Sequence, residues 1–198
     1  MANVVVKKRK VKRNRIFLDP GLLAYNFKGH LNTVLQHRHM VMRHCIKAGI
    51  PLQGLTHDLS KFSPTEFIKG VMYYQGTRSP NEGERESYGY SYAWMHHKGR
   101  NRHHFEYWTD YDPRTRRLEP VKMPVRYVKE MFCDRVAASK IYNGENYTNS
   151  DPIKYFLRGK GKRMIHPDTS RLLEMLLRML EIQGEDATFK YIRRLRRY

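Results

Sequence analysis

Between Gly29 and Ala48 the residues His30, Val34, His37, Val41, His44 and Ala48 recur at steps of four and three, the spacing that lines side chains along one stripe of an α-helix. Gly49 and then Pro51 end the pattern, as a C-terminal glycine followed by a proline does. A helix in this register carries imidazoles toward whatever it packs on. His37, between Val34 and Val41, points inward. The ordinary fate of such a residue is packing or a place at the rim, and His39 and His44 compete with it for any further role.

The next stretch concentrates ligand chemistry. Leu52 to Leu59 reads as a short helix that delivers the adjacent His57 and Asp58, followed by Ser60-Lys61-Phe62. A neutral imidazole nitrogen and a carboxylate oxygen are both good ligands for first-row metals. One His-Asp pair is common, but nine of the ten histidines lie between His30 and His104, with doublets at His96-His97 and His103-His104. Lys61, within a helical turn of Asp58, is close enough to meet a phosphate there, although solvation is the default for a lysine. Ser63-Pro64-Thr65-Glu66 opens a further helix, with Ser63 as N-cap, Pro64 as first residue and Glu66 closing a capping box. That assigns Glu66 to the cap rather than to catalysis. Phe67, Val71 and Tyr74 supply the buried face.

Residues 75–87 have no hydrophobic period and many helix breakers, so they predict a loop, either a lid or a tolerated surface insertion. Helix resumes from Tyr88 to His97, and the two His doublets then flank the basic turn Lys98-Gly99-Arg100-Asn101-Arg102. Four imidazoles would each need a partner if buried, and a metal supplies one. Consecutive helical residues diverge by about 100°, so one member of a doublet binds while the other orients substrate or supports the ligands. His97 and His104 rank first, His96 and His103 second. Arg100, Arg102 and Lys98 are candidate phosphate clamps. Alternatively, Arg100 to Arg102 with Tyr107 and Trp108 would form a nucleic-acid contact with bases stacked on the rings, though such aromatics are as often core.

Asp110 to Met123 reads as a loop or a short hairpin. A helix from Pro124 to about Tyr142 brings Tyr127, Glu130, Met131, Asp134, Ala137, Ala138 and Ile141 to one side. An aspartate in that apolar company calls for a cation, either a metal or an arginine. Asp151-Pro152 opens a short helix to Leu157. Arg158-Gly159-Lys160-Gly161-Lys162-Arg163 lacks the P-loop spacing and is either a plain basic loop or a phosphate contact. Thr169 to Gln183 forms an amphipathic helix stopped by Gly184, and Glu185 to Arg197 a last basic one.

The whole therefore reads as all-α: a basic tail over residues 1–20 and one helical domain over 21–198, with residues 168–198 as a C-terminal helical pair. A chain of 198 residues can bury a real core. Net charge is +19, and residues 7–15 with 190–198 supply twelve of the basic groups without an acid. Such arms favour phosphate polyanions through counterion release, so nucleic acid is an expected partner of the tails. Lys7 to Arg13 has the composition of a nuclear localisation signal, and a solvated tail that only aids solubility is the plainer alternative. Cys45 and Cys133, in helical apolar patterns, cannot build a disulfide framework. With no apolar run of membrane-spanning length and no apolar leader, a cytoplasmic protein is expected.

A helical His, then His-Asp before Leu-Ser-Lys, then a His pair, then a late helical Asp in Cys133-Asp134-Arg135-Val136-Ala137-Ala138-Ser139 resembles the HD-domain superfamily of metal-dependent phosphohydrolases. The stretches HDLSKFSPTEF, AWMHHKGRNRHHFEYW and HPDTSRLLEMLLRMLEIQGEDATF are similar to a family of short bacterial and phage proteins known only as a domain of unknown function, over roughly Phe27 to Ile192. The resemblance implies an HD-domain-like helical bundle. It also implies a metal site drawn from His37, His57, Asp58, His96, His97, His104 and Asp134, holding one or two divalent transition ions. Nitrogen and oxygen donors without thiolate suit Mn, Fe, Co, Ni or Zn. Asp58 would bridge two ions, and Lys61, Arg100, Arg102 and Arg135 would neutralise charge on a phosphorylated substrate. The expected activity is phosphomonoester or phosphodiester hydrolysis related to nucleotides or nucleic acids. An HD-type diiron oxygenase and a non-catalytic basic nucleic-acid module are the alternatives. The sequence leaves the oligomeric state open.

Overall fold

The computed structural model describes residues 19–198, so the basic run from Lys7 to Arg13, and with it nearly all of the expected tail, lies outside the described residues. Helix α1 (Pro20–Lys47) begins well before Gly29. Asp19-Pro20, at the edge of the expected tail, is a helix start. The Asp19 carboxylate accepts from the Leu22 N–H at 3.0 Å, and Pro20 needs no hydrogen bond in the first turn. Every member of the stripe from His30 to Ala48 is buried.

Helix α2 (Pro51–Thr56) stops before His57, and a 3-10 turn over Leu59–Phe62 leads into α3 (Pro64–Met72). The expected continuous helix to Leu59 is thus broken at the two residues that carry the chemistry. Residues 80–87, within the expected loop of 75–87, lie in α4 (Pro80–Tyr88). No apolar stripe announces it because its anchor is a charge: the buried Glu84 carboxylate accepts from Ser91 Oγ at 2.6 Å and from the Ala93 N–H at 3.2 Å. The helix expected from Tyr88 is divided at Gly89, and α5 (Tyr92–Arg100) restarts with Ser91 capping the Trp94 N–H at 3.0 Å. The loop-or-hairpin segment is a hairpin, β1 (Thr109–Asp112) antiparallel to β2 (Arg117–Pro120), with Thr109 opposite Pro120. Then follow α6 (Val125–Asn143), α7 (Asp151–Arg158) and α8 (Pro167–Arg194). Helix α8 is a pair in effect: Gly184, at φ 77° and ψ 179°, breaks it, a conformation closed to other residues.

The described chain is an all-α bundle with one small hairpin. Its core lies between the second half of α1 and α6, α7 and α8, where Val41, Phe132, Val136, Phe156, Leu173 and Leu176 are essentially inaccessible. Each such side chain contributes roughly 1.5–3 kcal/mol through burial. Helix α6 is central: Val128, Met131, Phe132 and Val136 join the core, while the buried Glu130 and the partly buried Asp134 leave it on the side where α2, α3 and α5 gather. No described helix is long and apolar enough to cross a membrane.

Candidate metal centre

His57 ends α2 and Asp58 takes the left-handed backbone conformation, φ 54° and ψ 26°. Aspartate tolerates that region better than most residues. The kink turns both side chains into the interior, where His57 and Asp58 are each 1% exposed. Helix α1 brings His37 to the same place and α6 brings Asp134. His37 Nε2 lies 3.0 Å from Asp134 Oδ1, 3.8 Å from Asp58 Oδ2 and 3.4 Å from His57 Nε2. His57 Nε2 lies 3.4 Å from Asp58 Oδ2 and 3.7 Å from Asp134 Oδ1. Two ligands at about 2.0–2.2 Å from one ion are about 3.0–3.6 Å apart, so these four side chains have nearly the mutual spacing of a coordination shell.

A second group lies against the other oxygen of Asp58. His97 Nε2 and His103 Nε2 are each 3.4 Å from Asp58 Oδ1, and His104 Nε2 is 2.8 Å from His97 Nε2. These four also form a set able to hold an ion. Asp58 Oδ1 and His103 Nε2 are buried with no hydrogen-bond partner, a costly condition unless a ligand satisfies them. A divalent cation fits both donors.

Two carboxylates behind the imidazoles set their tautomers. Glu130 Oε1 accepts from His57 Nδ1 at 2.9 Å and from His103 Nδ1 at 3.1 Å. Glu66 accepts from His97 Nδ1 at 2.8 Å through one oxygen and from His96 Nδ1 at 2.6 Å through the other. With Nδ1 donating, the Nε2 lone pairs of His57, His97 and His103 are turned to the two groups, the arrangement metal-binding histidines use. Burial would raise the carboxyl of Asp58, but His57, Lys61, His97 and His103 around it hold it well below the usual carboxylate range. Asp134 is held low in the same way, by His37 foremost. Burial pushes the His57 imidazole below its ordinary value, which keeps the ring neutral.

Placement of the expected residues is uneven. His37, His57, Asp58 and Asp134 converge, as do His97 and His104 with Asp58. His103 joins them although its sequence position ranked it behind His104. His96 does not: its Nδ1 is spent on Glu66, outside both groups. Glu66, expected as a cap, makes no cap bond, and Ser63 Oγ has no partner either; the carboxylate is drawn instead to two imidazole N–H donors. Lys61 is at the centre, its ammonium 3.0 Å from Asp58 Oδ2.

The three arginines are not at the centre. Arg100 is exposed and reaches only the His96 carbonyl, at 3.5 Å. Arg102 donates to the Tyr127 hydroxyl at 3.3 Å, and Arg135 is turned over the Phe156 ring, 6.0 Å from its centre. Trp108 is half-buried against the core and donates to the Arg102 carbonyl at 2.8 Å. Glu130 was visible only as a polar member of the α6 stripe. The signal that could have found it is its spacing of four from Asp134, one helical turn on the same face.

Histidines 30 and 44 of the α1 stripe are structural. His30 packs on Phe67 and Tyr74 in space left by Gly70, whose Cβ would fall 2.0 Å from the His30 ring. His44 Nδ1 donates to the Cys133 carbonyl at 3.3 Å and its ring lies against Phe189.

A family model described as "Family of unknown function (DUF5662)" matches residues 26–179. No curated protein and no solved structure matches the chain.

Proposed function

The chain belongs to this family of unknown function (DUF5662), so its activity has to be argued from its own centre, and we propose that it is a two-metal phosphohydrolase acting on phosphomonoesters or phosphodiesters of nucleotide or nucleic-acid type. The observation that carries the reading is Asp58: one oxygen faces His37, His57 and Asp134, the other faces His97 and His103, and a lysine ammonium lies beside it. The order of donors along the chain, which resembles that of HD-domain phosphohydrolases, supports the same reading.

Divalent ions of Mn, Fe, Co, Ni or Zn type in these groups would polarise a phosphoryl oxygen and lower the pKa of a coordinated water. The residues do the rest. Asp58 offers one oxygen to each group and would hold two ions at a fixed separation. Glu130 and Glu66 keep the imidazoles in the ligating tautomer. Burial works against the Lys61 ammonium, but Asp58 and Asp134 raise it above its ordinary value, so it stays cationic. Lys61 and Asp134 are also the more open members, with side chains 32% and 19% exposed. A phosphate arriving from solvent meets Lys61 at that rim, where a charge-assisted hydrogen bond stabilises the developing negative charge. That cation suits an anionic phosphoryl substrate. The exposed Arg193, Arg194, Arg196 and Arg197 add long-range attraction for phosphate polyanions.

The test is metal analysis of the purified protein with a phosphatase and phosphodiesterase panel run in Mn, Co, Ni and Zn. Metal-dependent turnover should fall at least about a hundredfold in Asp58→Ala. Turnover unchanged in Asp58→Ala and His57→Ala would end the enzymatic reading.

A further inference from the structure

Arg135 follows Asp134 on α6, yet its guanidinium lies on α7. It is over the Phe156 ring at 6.0 Å, and Arg163 is over the same ring at 5.5 Å. Arg163 is also 5.9 Å from the centre of Tyr155, and Arg158 covers Tyr155 at 5.2 Å. Three guanidiniums are thus gathered on two neighbouring rings. Among the described residues none of the three has a carboxylate within ion-pair distance, whereas Arg78, Arg114, Arg171 and Arg178 each have one. Arg163 spends its donors on the Phe156 and Tyr155 carbonyls, at 2.7 and 3.4 Å, and so caps the end of α7. Arg135 spends nothing comparable: its Nε is shut off from solvent and has no hydrogen-bond partner.

Gathering like charges and burying a donor is unfavourable unless something of opposite charge completes the arrangement. Asp134 belongs to the centre and is occupied by His37. Planar guanidiniums with free N–H forks match phosphate oxygens in pairs.

We propose that Arg135 and Arg158, on the platform of Phe156, Tyr155 and Arg163, form a second phosphate site, linked to the metal centre through Asp134 as the residue before Arg135 on α6, and that this site takes a phosphate of the substrate other than the one hydrolysed. This rests on the phosphohydrolase reading only for the word substrate; the anion site itself stands without it. That phosphate has two sources, the other group of a nucleoside diphosphate or another linkage of a polynucleotide end.

Calorimetric titration of the full-length protein, freed of metal with a chelator and held at fixed ionic strength, tests the site without calling on catalysis. The probes are inorganic pyrophosphate, a nucleoside 5′-diphosphate and a 5′-phosphorylated dinucleotide. Each of Arg135→Gln and Arg158→Gln should weaken at least one probe about tenfold, as loss of one charge-assisted contact does. Lys154→Gln, an exposed change on α7 outside the cluster, should not. Arg158 is exposed, so its variant keeps the test decisive if Arg135→Gln folds poorly. Preference for either the diphosphate or the dinucleotide supports the site and names its source. Unchanged affinity in both arginine variants, or an equal loss in Lys154→Gln, overturns it. Turnover that survives unchanged in Asp58→Ala and His57→Ala while probe binding still depends on Arg135 would remove the enzyme and leave the site.

Discussion

Asp58 holds three positions in the structure at once: it breaks the helix, it offers an oxygen to each donor group and it neutralises Lys61. The residues behind it divide the work unequally. Glu130 accepts from one imidazole in each group, whereas Glu66 accepts from His97 in one group and from His96 in neither. With an ion in each group, as proposed, removing Glu130 should therefore weaken both, and removing Glu66 only the one beside His97, each by about 10–100-fold in affinity. Metal content after passage through a desalting column, near zero equivalents for Glu130→Ala and near one for Glu66→Ala, is the expected reading. The same stoichiometry in both variants would mean that the second carboxylate is not specific to its group. Neither role was legible in the chain. Ser63-Pro64-Thr65-Glu66 has the spacing of a capping box, and only the approach of α5 shows that two imidazole N–H groups outcompete one backbone N–H for the carboxylate.

Among the elements, α1 shows how far a periodic pattern reaches. Its stripe predicts which residues face inward, and all of them do, but His30, His37 and His44 are equivalent by spacing and differ only in what meets them: Gly70 and two rings, Asp134, or the Cys133 carbonyl. Burial lowers both His30 and His44 from 6.5 to about 4, with Lys61 adding to the first, and Lys140 and Lys47 to the second against the Cys133 carbonyl and Glu185. In the folded chain these rings stay neutral, while the unfolded chain takes up a proton near pH 6.5. Their contribution is therefore intact above pH 6.5 and is lost as pH falls toward about 4. Each costs at most about 1.4 kcal/mol per pH unit in that window. Urea titrations in chelator between pH 7.5 and 5 should show His44→Asn losing less stability on acidification than the parent protein. Parallel pH profiles would count against a buried neutral His44. Helix α4 fails the pattern test for the opposite reason: its hold on α5 is the Glu84 carboxylate, and a period of apolar residues cannot report an anchor made of charge.

At the scale of the whole molecule, α6 joins an apolar layer made with α1, α7 and α8 to a polar layer in which its Glu130 and Asp134 meet His57, His103 and His37. Buried donors such as Asp58 Oδ1 and His103 Nε2 lack partners in the polar layer, so an ion bound there stabilises the folded chain by mass action. Metal at about a hundred times its dissociation constant should add about 2.7 kcal/mol. A thermal midpoint that rises with added Mn or Zn in the parent protein and stays level in Asp58→Ala is the expected result; no shift in either would leave the donor groups without a function. The chain by itself determined the all-α class, the inward stripe of α1 and the cluster of His and Asp residues, because helical periodicity and side-chain chemistry are local properties written at fixed spacing. Only the tertiary structure decided that His103 joins the centre and His96 does not, that Glu130 stands behind both groups, and that Arg135 leaves Asp134 for α7. Those outcomes depend on which helix faces arrive within hydrogen-bond distance of one another, and contacts between residues far apart in sequence leave no mark in the spacing of either segment.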